Sequence, residues 1–436
     1  MSATDLSGNA PTPVGYITLM RRNRDYRNMW SGDTVSLFGD WFDLIASTTL
    51  AARLTGSGLA VGALFVVRML APFVISPLAG VWADRYNRKH LLIVCDLLRA
   101  VVVLGFLLVH AAGEIWILYL VTILQLGISG IFFPARGAIL PDIVSPSELG
   151  AANALSAITW SVMLSIGAAL GGLAAGQWGI YPAFVIDSLS FLLSAAFISQ
   201  IRYSASPPLA GSSRTAGAAF EEYVDGLRFL RHQADIFWIT MLKAGLGLSV
   251  WGGFQVIQVI VAEKVFVIGQ GGGTSLGLIY AVVGVGTGLG PIVARRLTGD
   301  RVWPLRIATA AGFAICAAGL AIMAPLASFG WVLVGVLLRG IGTGVVWVFS
   351  TQLLLQLTPD RVRGRVFASD FAAQTLTSAV SSGAAGWLLD QTTLGVAGQL
   401  FGMAGLTVVF GALWAGWIAL GPPAKSKAIA GDLDQA

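Results

Sequence analysis

Charged residues are scarce in this sequence: they make up 11 % of its 436 residues, against roughly 25 % in soluble domains. Hydrophobic residues make up 56 %. So few charges do not cover the surface of a soluble protein, so lipid is the expected solvent for most of the chain. The only cysteines, Cys95 and Cys316, lie far apart in apolar stretches and show neither metal-ligand spacing nor a disulfide framework. We therefore expect no metal site and no cofactor.

Long apolar runs, in contrast, are abundant. About 20 mostly apolar residues span the hydrocarbon core of a bilayer as a helix. Twelve runs of this kind occur, near 29–53, 58–82, 90–111, 115–140, 150–176, 181–201, 236–262, 274–296, 304–324, 329–356, 363–389 and 396–420. Adding 213 to a position in the first six leads to the matching run in the second six. The sequence therefore predicts an all-α integral membrane protein of twelve transmembrane helices, in two pseudo-symmetric six-helix bundles.

The polar segments complete the predicted organisation. Residues 1–28 form an N-terminal tail, 29–201 the first bundle, 202–235 a linker, 236–420 the second bundle and 421–436 a C-terminal tail. The linker contains an amphipathic pattern over 220–231, which favours a helix on the membrane surface. Lysine and arginine concentrate in alternate gaps, which places both termini in the cytoplasm and the chain in the cell inner membrane.

The sequence also bears on energy source and partners. No P-loop and no catalytic cluster of histidines or of a nucleophile with its base occurs, so neither an ATP-driven pump nor an enzyme is expected. The basic residues form no patch with interleaved aromatics, which argues against nucleic-acid binding. The expected partners are a small-molecule substrate, protons and membrane lipid, with the chain acting as a monomer.

A short polar loop between the second and third helices carries a family resemblance. Its residues, Gly80-Val-Trp-Ala-Asp84-Arg85-Tyr-Asn-Arg88-Lys89, resemble the signature loop of the major facilitator superfamily, with Asn87 where the usual pattern has glycine. Four further stretches resemble the macrolide-efflux and enterobactin-exporter branch of its drug:proton antiporters, namely 55–58, 133–142, 186–191 and 363–367. This resemblance implies a secondary transporter that works by alternating access, with the signature loop controlling conformation.

The fifth helix carries a glycine motif, Gly167-Ala-Ala-Leu-Gly171-Gly172. It is similar to the exporter motif of the proton antiporters, except that Ala168 replaces a proline. The resemblance implies a bent helix packed tightly against a partner in the other half, and plain small-residue packing explains the glycines equally well.

Ionisable residues at membrane depth cost roughly 2.5–3.5 kcal/mol each on insertion scales, so they persist where they are paired, solvated or used. Helix one carries Asp33, Asp40 and Asp43 on one side. We expect Asp40, with Asp43 or Asp33 as neighbour, to be the carboxylate that couples transport to protons; a static salt bridge is the alternative.

The resemblance implies that helices 1, 4, 7 and 10 line the substrate cavity. On helices seven and ten this predicts four lining residues, Lys243, Trp251, Arg339 and Trp347. Five other charges lie at membrane depth: Arg68, Asp96, Arg99, Asp187 and Asp370. Asp96 and Arg99 are three residues apart on one helix and predict a local ion pair.

The predicted function is proton-coupled efflux of bulky amphipathic small molecules, such as macrolides and other drugs. A siderophore exporter or a lysophospholipid transporter on the same scaffold is the main alternative, in which Lys243, Arg68 and Arg339 bind an anionic substrate. An uptake symporter and a non-transporting membrane scaffold are further alternatives.

Overall fold

The computed structural model describes residues 15–203, 228, 230, 231 and 233–420; for 76–78, 80, 81, 83–85, 360 and 361 it describes the backbone alone. The regular elements of these residues are all helical. The α-helices are α1 (Tyr16–Arg22), α2 (Arg24–Thr55), α3 (Gly58–Arg85), α4 (Arg88–Val103), α5 (Ile115–Ile143), α6 (Leu149–Val162), α7 (Ala168–Trp178), α8 (Tyr181–Ser199), α9 (Ala234–Leu246), α10 (Gly252–Ile260), α11 (Gly273–Thr298), α12 (Val302–Met323), α13 (Phe329–Leu357), α14 (Asp360–Gln391) and α15 (Gly395–Leu420).

Some of these helices join into longer membrane-crossing segments. A π-turn at Met163–Gly167 links α6 to α7, another at Gly247–Trp251 links α9 to α10, and a third at Val261–Val265 ends the latter segment. Ten helical segments of the described residues are long and apolar enough to cross a membrane. The two 32-residue helices α2 and α14 are about 48 Å long at 1.5 Å per residue but carry more polar and charged residues. Together they give a total consistent with the twelve predicted.

The ends of the chain differ in detail from the sequence interpretation. The first long helix begins at Arg24, before the predicted residue 29, and the short helix α1 precedes it inside the predicted tail. Leu19 of α1 is fully buried and belongs to the apolar core near α4 and α5, which explains why this segment is ordered. Most of the predicted linker 202–235, including its amphipathic segment, and the tail 421–436 lie outside the described residues.

The contacts divide the chain into two units whose border does not follow the linker. Unit 1 comprises Met1–Ser47 and Ala71–Ala216, and unit 2 comprises Thr48–Leu70 and Gly217–Ala436. The border therefore cuts through α2 and α3. The end of α2 and the start of α3 belong with the second half of the sequence.

Unit 1 is held together by α2, which contacts several neighbours. Tyr26 donates a hydrogen bond to the carbonyl of Ala152 on α6 at 3.1 Å, and Trp30 donates to Thr159 at 2.9 Å. Against α8 the helices approach closely at Gly32, where an added Cβ would lie 3.1 Å from Ser194 Oγ. Small residues thus allow α2 and α8 to pack backbone to backbone.

Unit 2 relies on glycine for the packing of α11, α12 and α13. A Cβ on Gly286 or Gly290 of α11 would lie 2.7 Å and 2.5 Å from carbonyl oxygens of α13. Gly319 of α12 meets Gly335 of α13 in the same way, at 2.5 Å. Close helix packing is therefore the role of these glycines.

Candidate transport site

Three carboxylates come together in unit 1, from α2 and α8. Asp43 and Asp187 are fully buried and Asp40 is half-buried. Gly39 brings the helices together here, since its Cβ would lie 2.4 Å from Oδ1 of Asp187. The charges of Asp40 and Asp43 both act on Asp187, and Gln125 Nε2 donates a hydrogen bond to Asp187 Oδ2 at 3.2 Å. We call Asp40, Asp43 and Asp187 the acid cluster.

Asp33, predicted as a neighbour of Asp40 in coupling, has a cation partner of its own. Its carboxylate forms a salt bridge with Arg136 on α5, which also donates to Ser156 at 3.0 Å. From the sequence alone, Arg136 was assigned no role in the bundle. Its place in a conspicuous stretch, Phe133-Pro-Ala-Arg136, was the available signal for a role in the bundle.

Asp96 and Arg99 form the predicted ion pair within α4, which is confirmed. Both are buried, and the guanidinium of Arg99 lies between the rings of Phe132 and Phe191, 4.3 Å from each centroid. An Arg flanked by two rings and a carboxylate is held in one position, as expected of a structural pair.

Two buried or half-buried acids of unit 1 outside the acid cluster each form a salt bridge. Asp96 pairs with Arg99 on α4, and Asp33 pairs with Arg136 on α5. Arg99 and Arg136 are therefore each held by an acid that is not a member of the acid cluster.

Unit 2 places Lys243 and Asp370 in one buried ion pair. Lys243 Nζ on α9 lies 2.6 Å from Asp370 Oδ2 on α14, and the two side chains are 5 % and 4 % exposed. The ammonium also lies 5.1 Å from the ring of Trp347, which stacks on Trp251 at 5.3 Å. The structure thus joins three of the four predicted cavity residues and adds Asp370.

Arg339, the fourth predicted cavity residue, lies in a different group. Its guanidinium is 4.0 Å from the ring centroid of Phe254 on α10. Its charge acts on Tyr280 of α11, as does the charge of Arg68 from α3. Arg68 and Arg339 therefore share a neighbour, whereas Lys243 has a separate partner.

The signature loop is described in part. The backbone of Gly80, Asp84 and Arg85 is helical, and their side chains lie outside the described residues. Arg88 Nη1 lies 2.8 Å from Asp142 at the end of α5, and Lys89 donates to the carbonyl of Ile201 at 2.7 Å. The two basic residues thus tie the start of α4 to the ends of α5 and α8.

The glycine motif packs its helix against α2 of the same unit. A Cβ on Gly167 would lie 3.0 Å from Trp41, and one on Gly171 would lie 3.3 Å from Phe42; Gly172 is buried. Gly167 ends the π-turn Met163–Gly167, directly before Ala168. A π-turn often bends a helix, so it supplies the irregularity that the missing proline would otherwise produce.

A further set of contacts in unit 2 connects the end of α14 to the start of α3. Asp390 at the end of α14 accepts hydrogen bonds from the backbone N–H groups of Gly58 and Leu59, at 2.8 Å and 2.9 Å, and from Ser57. Lys264 donates to the carbonyl of Gly56 at 2.6 Å. Asp390 thus caps the first turn of α3 and satisfies its free N–H groups.

Comparison with known proteins assigns the family. The model of the Major Facilitator Superfamily matches residues 30–382. The chain belongs to the major facilitator superfamily. It is 28 % identical over 408 residues to the uncharacterized MFS-type transporter YfiS of Bacillus subtilis, covering 90 % of this chain and 94 % of that protein. The putative bacilysin exporter BacE of Bacillus subtilis is 28 % identical over 224 residues, 51 % of this chain and 54 % of BacE.

Two further relatives bear on the branch and the fold. Macrolide efflux protein A of Streptococcus pyogenes is 22 % identical over 220 residues, 50 % of this chain and 54 % of that protein. The crystal structure of the nucleoside transporter NupG gives a TM-score of 0.72 at 12 % identity, covering 91 % of this chain and 99 % of that one, which shows the fold alone. The predicted family resemblance and the all-α membrane fold are confirmed. The protein is a multi-pass membrane transporter of this superfamily.

Proposed function

We propose that the protein exports bulky amphipathic small molecules in exchange for protons, by alternating access between two half-transporters. The names of two relatives, an exporter and an efflux protein, support the direction of transport. The proposal includes an inner-membrane location with both termini in the cytoplasm, a monomeric state, and the proton gradient as energy source with no cofactor.

The acid cluster is the observation that carries the proton coupling. Carboxylates that share a site of low dielectric do not all ionise together, because like charges repel and burial disfavours each charge. Such a group titrates as a unit and holds at least one proton over part of the physiological pH range. We assign proton uptake and release to Asp40, Asp43 and Asp187, with Asp40, the half-buried member, as the entry point.

Asp33 receives a different role in this proposal. Its salt bridge with Arg136 gives it a cation partner of its own, so it contributes to coupling only through a change of partner. Asp187 replaces it as the third titrating acid, which the sequence alone did not indicate.

Transport in proteoliposomes tests the proposal. Vesicles containing the purified protein and a pH-sensitive dye are given a macrolide or another amphipathic compound, and proton movement is followed with and without a pH gradient. Wild type is expected to couple drug movement to proton movement in the opposite direction. Asp40→Asn is expected to reduce the dependence of transport on the pH gradient by at least about 100-fold, the lower end of the 10²–10⁴-fold range typical for removal of a proton-transfer group.

The matched control is Asp300→Asn, because Asp300 is exposed and interacts with Arg295 and Gln352, which are not part of the acid cluster. This variant is expected to transport like wild type. Undiminished dependence on the pH gradient in Asp40→Asn and in Asp187→Asn would contradict the assignment.

A further inference from the structure

Arg339 carries a buried positive charge without an acid partner among the described residues of unit 2. Arg339 is 5 % exposed. Helix α12 packs against its backbone at Gly319, where an added Cβ would lie 2.4 Å from the backbone nitrogen of Arg339. Its guanidinium faces the Phe254 ring, and its Nε has no hydrogen-bond partner. In the part of unit 2 that the structure describes, no carboxylate forms an ion pair with it.

A buried polar side chain on α10, the helix that carries Phe254, also has a hydrogen-bonding atom without a partner. Gln258 is 2 % exposed and lies one helical turn after Phe254, on the same face of α10. Its Nε2 donates to Gln255, which also accepts a hydrogen bond from the Tyr280 hydroxyl at 3.0 Å, but its Oε1 has no partner. A buried acceptor and a buried cation, each with an unused hydrogen-bonding atom, thus both lie near Phe254: Gln258 follows it by one helical turn and Arg339 contacts its ring.

The acids of unit 2 are engaged elsewhere. Among the described side chains, three of these acids form ion pairs: Asp235 with Arg306, Asp300 with Arg295, and Asp370 with Lys243. Asp390 accepts hydrogen bonds from the first turn of α3, and Glu263 interacts with the charges of Arg53 and Lys264. A buried guanidinium that has neither an anion nor a set of acceptors destabilises the folded protein. We therefore infer that Arg339 serves to bind an anion from outside the chain.

We propose that Arg339, Tyr280 and Gln258 form a site for an anionic oxygen group, such as a carboxylate, on the transported molecule. The planar guanidinium binds a carboxylate through two parallel hydrogen bonds. The Phe254 ring supplies an apolar wall beside it, and Gln258 Oε1 accepts a hydrogen bond from a neighbouring hydroxyl or amide of the same molecule.

This inference rests on the proposed function only in taking the anion to be part of the cargo. Binding of the anion is measured without transport and without a proton gradient. The anion site can therefore be disproved while proton-coupled export is upheld, and export can be disproved while the anion site is upheld.

The test uses the purified full chain in detergent and low-salt buffer. Three probes are compared: 4-cyclohexylbutyrate, its neutral amide, and sodium chloride. The thermal unfolding midpoint is followed by tryptophan fluorescence. We expect the carboxylate to raise the midpoint of wild type at concentrations where the amide does not. In Arg339→Gln the half-saturating concentration of the carboxylate should rise roughly 10- to 100-fold, the value of a hydrogen bond to a charged group.

Ligand-free stability separates a binding role from a structural one. Arg339→Gln removes a buried charge, so its midpoint without ligand should equal or exceed that of wild type. Arg295→Gln, at an exposed pair, should respond to the carboxylate like wild type. Should Arg339→Gln fail to fold, Tyr280→Phe serves as the second variant, with an expected weakening of several-fold.

Two results would overturn the proposal. One is an equal midpoint shift from the carboxylate and the amide in wild type. The other is a carboxylate response that Arg339→Gln leaves unchanged. If sodium chloride reproduces the Arg339-dependent shift and competes with the carboxylate, the site binds a free inorganic anion and its assignment to the cargo is wrong.

Discussion

The buried pair Lys243–Asp370 offers the sharpest prediction of stability. Both side chains are at most 5 % exposed and their charged atoms are 2.6 Å apart. Replacing Asp370 by leucine leaves the ammonium without its anion, which costs about 3–5 kcal/mol for buried pairs. The Trp347 ring, 5.1 Å from the ammonium, makes its cation–π contact in the wild type as well, so it does not reduce this cost. We therefore expect Asp370→Leu to lower the free energy of unfolding by about 3–5 kcal/mol.

The double variant Lys243→Met/Asp370→Leu separates lost charge from lost packing. An apolar pair of similar volume is often neutral or stabilising, so the double variant should lie within about 1 kcal/mol of wild type. The measurement is unfolding by sodium dodecyl sulfate in mixed micelles, followed by tryptophan fluorescence. The same changes at the exposed pair Arg295–Asp300 should alter the free energy of unfolding far less, because solvent screens exposed charges. If the double variant loses as much as Asp370→Leu alone, an uncompensated ammonium is not the cause.

Three further predictions concern other parts of the chain. Gly39→Ala should sharply reduce the folded fraction in membranes, because its Cβ would meet Asp187 at 2.4 Å, whereas Gly113→Ala, with open space around it, should not. Asp390→Ala should cost about 0.5–2 kcal/mol through the lost cap and speed hydrogen exchange in the first turn of α3; unchanged exchange would show that the cap contributes nothing. Hydrogen bonds from nearby side chains lower the pKa of Asp300 from 3.8, so its stabilising effect is present above that pH and lost as pH falls through the lowered pKa. The difference in unfolding midpoint between wild type and Asp300→Asn should therefore be constant from pH 5 to 8 and shrink near the lowered pKa.

The membrane helices were predictable because hydropathy and length determine them directly. The predicted run 329–356, for example, is helix α13, Phe329–Leu357. The Asp96–Arg99 pair was equally accessible, since partners three residues apart on one helix lie on the same face. Both features depend only on local sequence.

Partners on different helices were not predictable in this way. Asp33 with Arg136, and Lys243 with Asp370, lie over 100 residues apart in sequence. Helical periodicity gives the face of each residue but not the neighbour of that face. The acids on one side of α2 were therefore recognised, while the third member of the acid cluster, Asp187, required the packing of α8 against Gly39.

The π-turn Gly247–Trp251 has a consequence for how tolerant this protein is of insertions and deletions. It lies between Lys243 and Phe254, so it separates the ion pair with Asp370 from the contact with Arg339 along one membrane segment. A π-turn contains one residue more than the α-helical turn it replaces, and one residue corresponds to about 100° of rotation. Deleting one residue here would leave a regular helix whose two halves no longer face both partners at once. A single extra residue thus sets the rotation about the helix axis between Lys243, which contacts Asp370, and Phe254, which contacts Arg339.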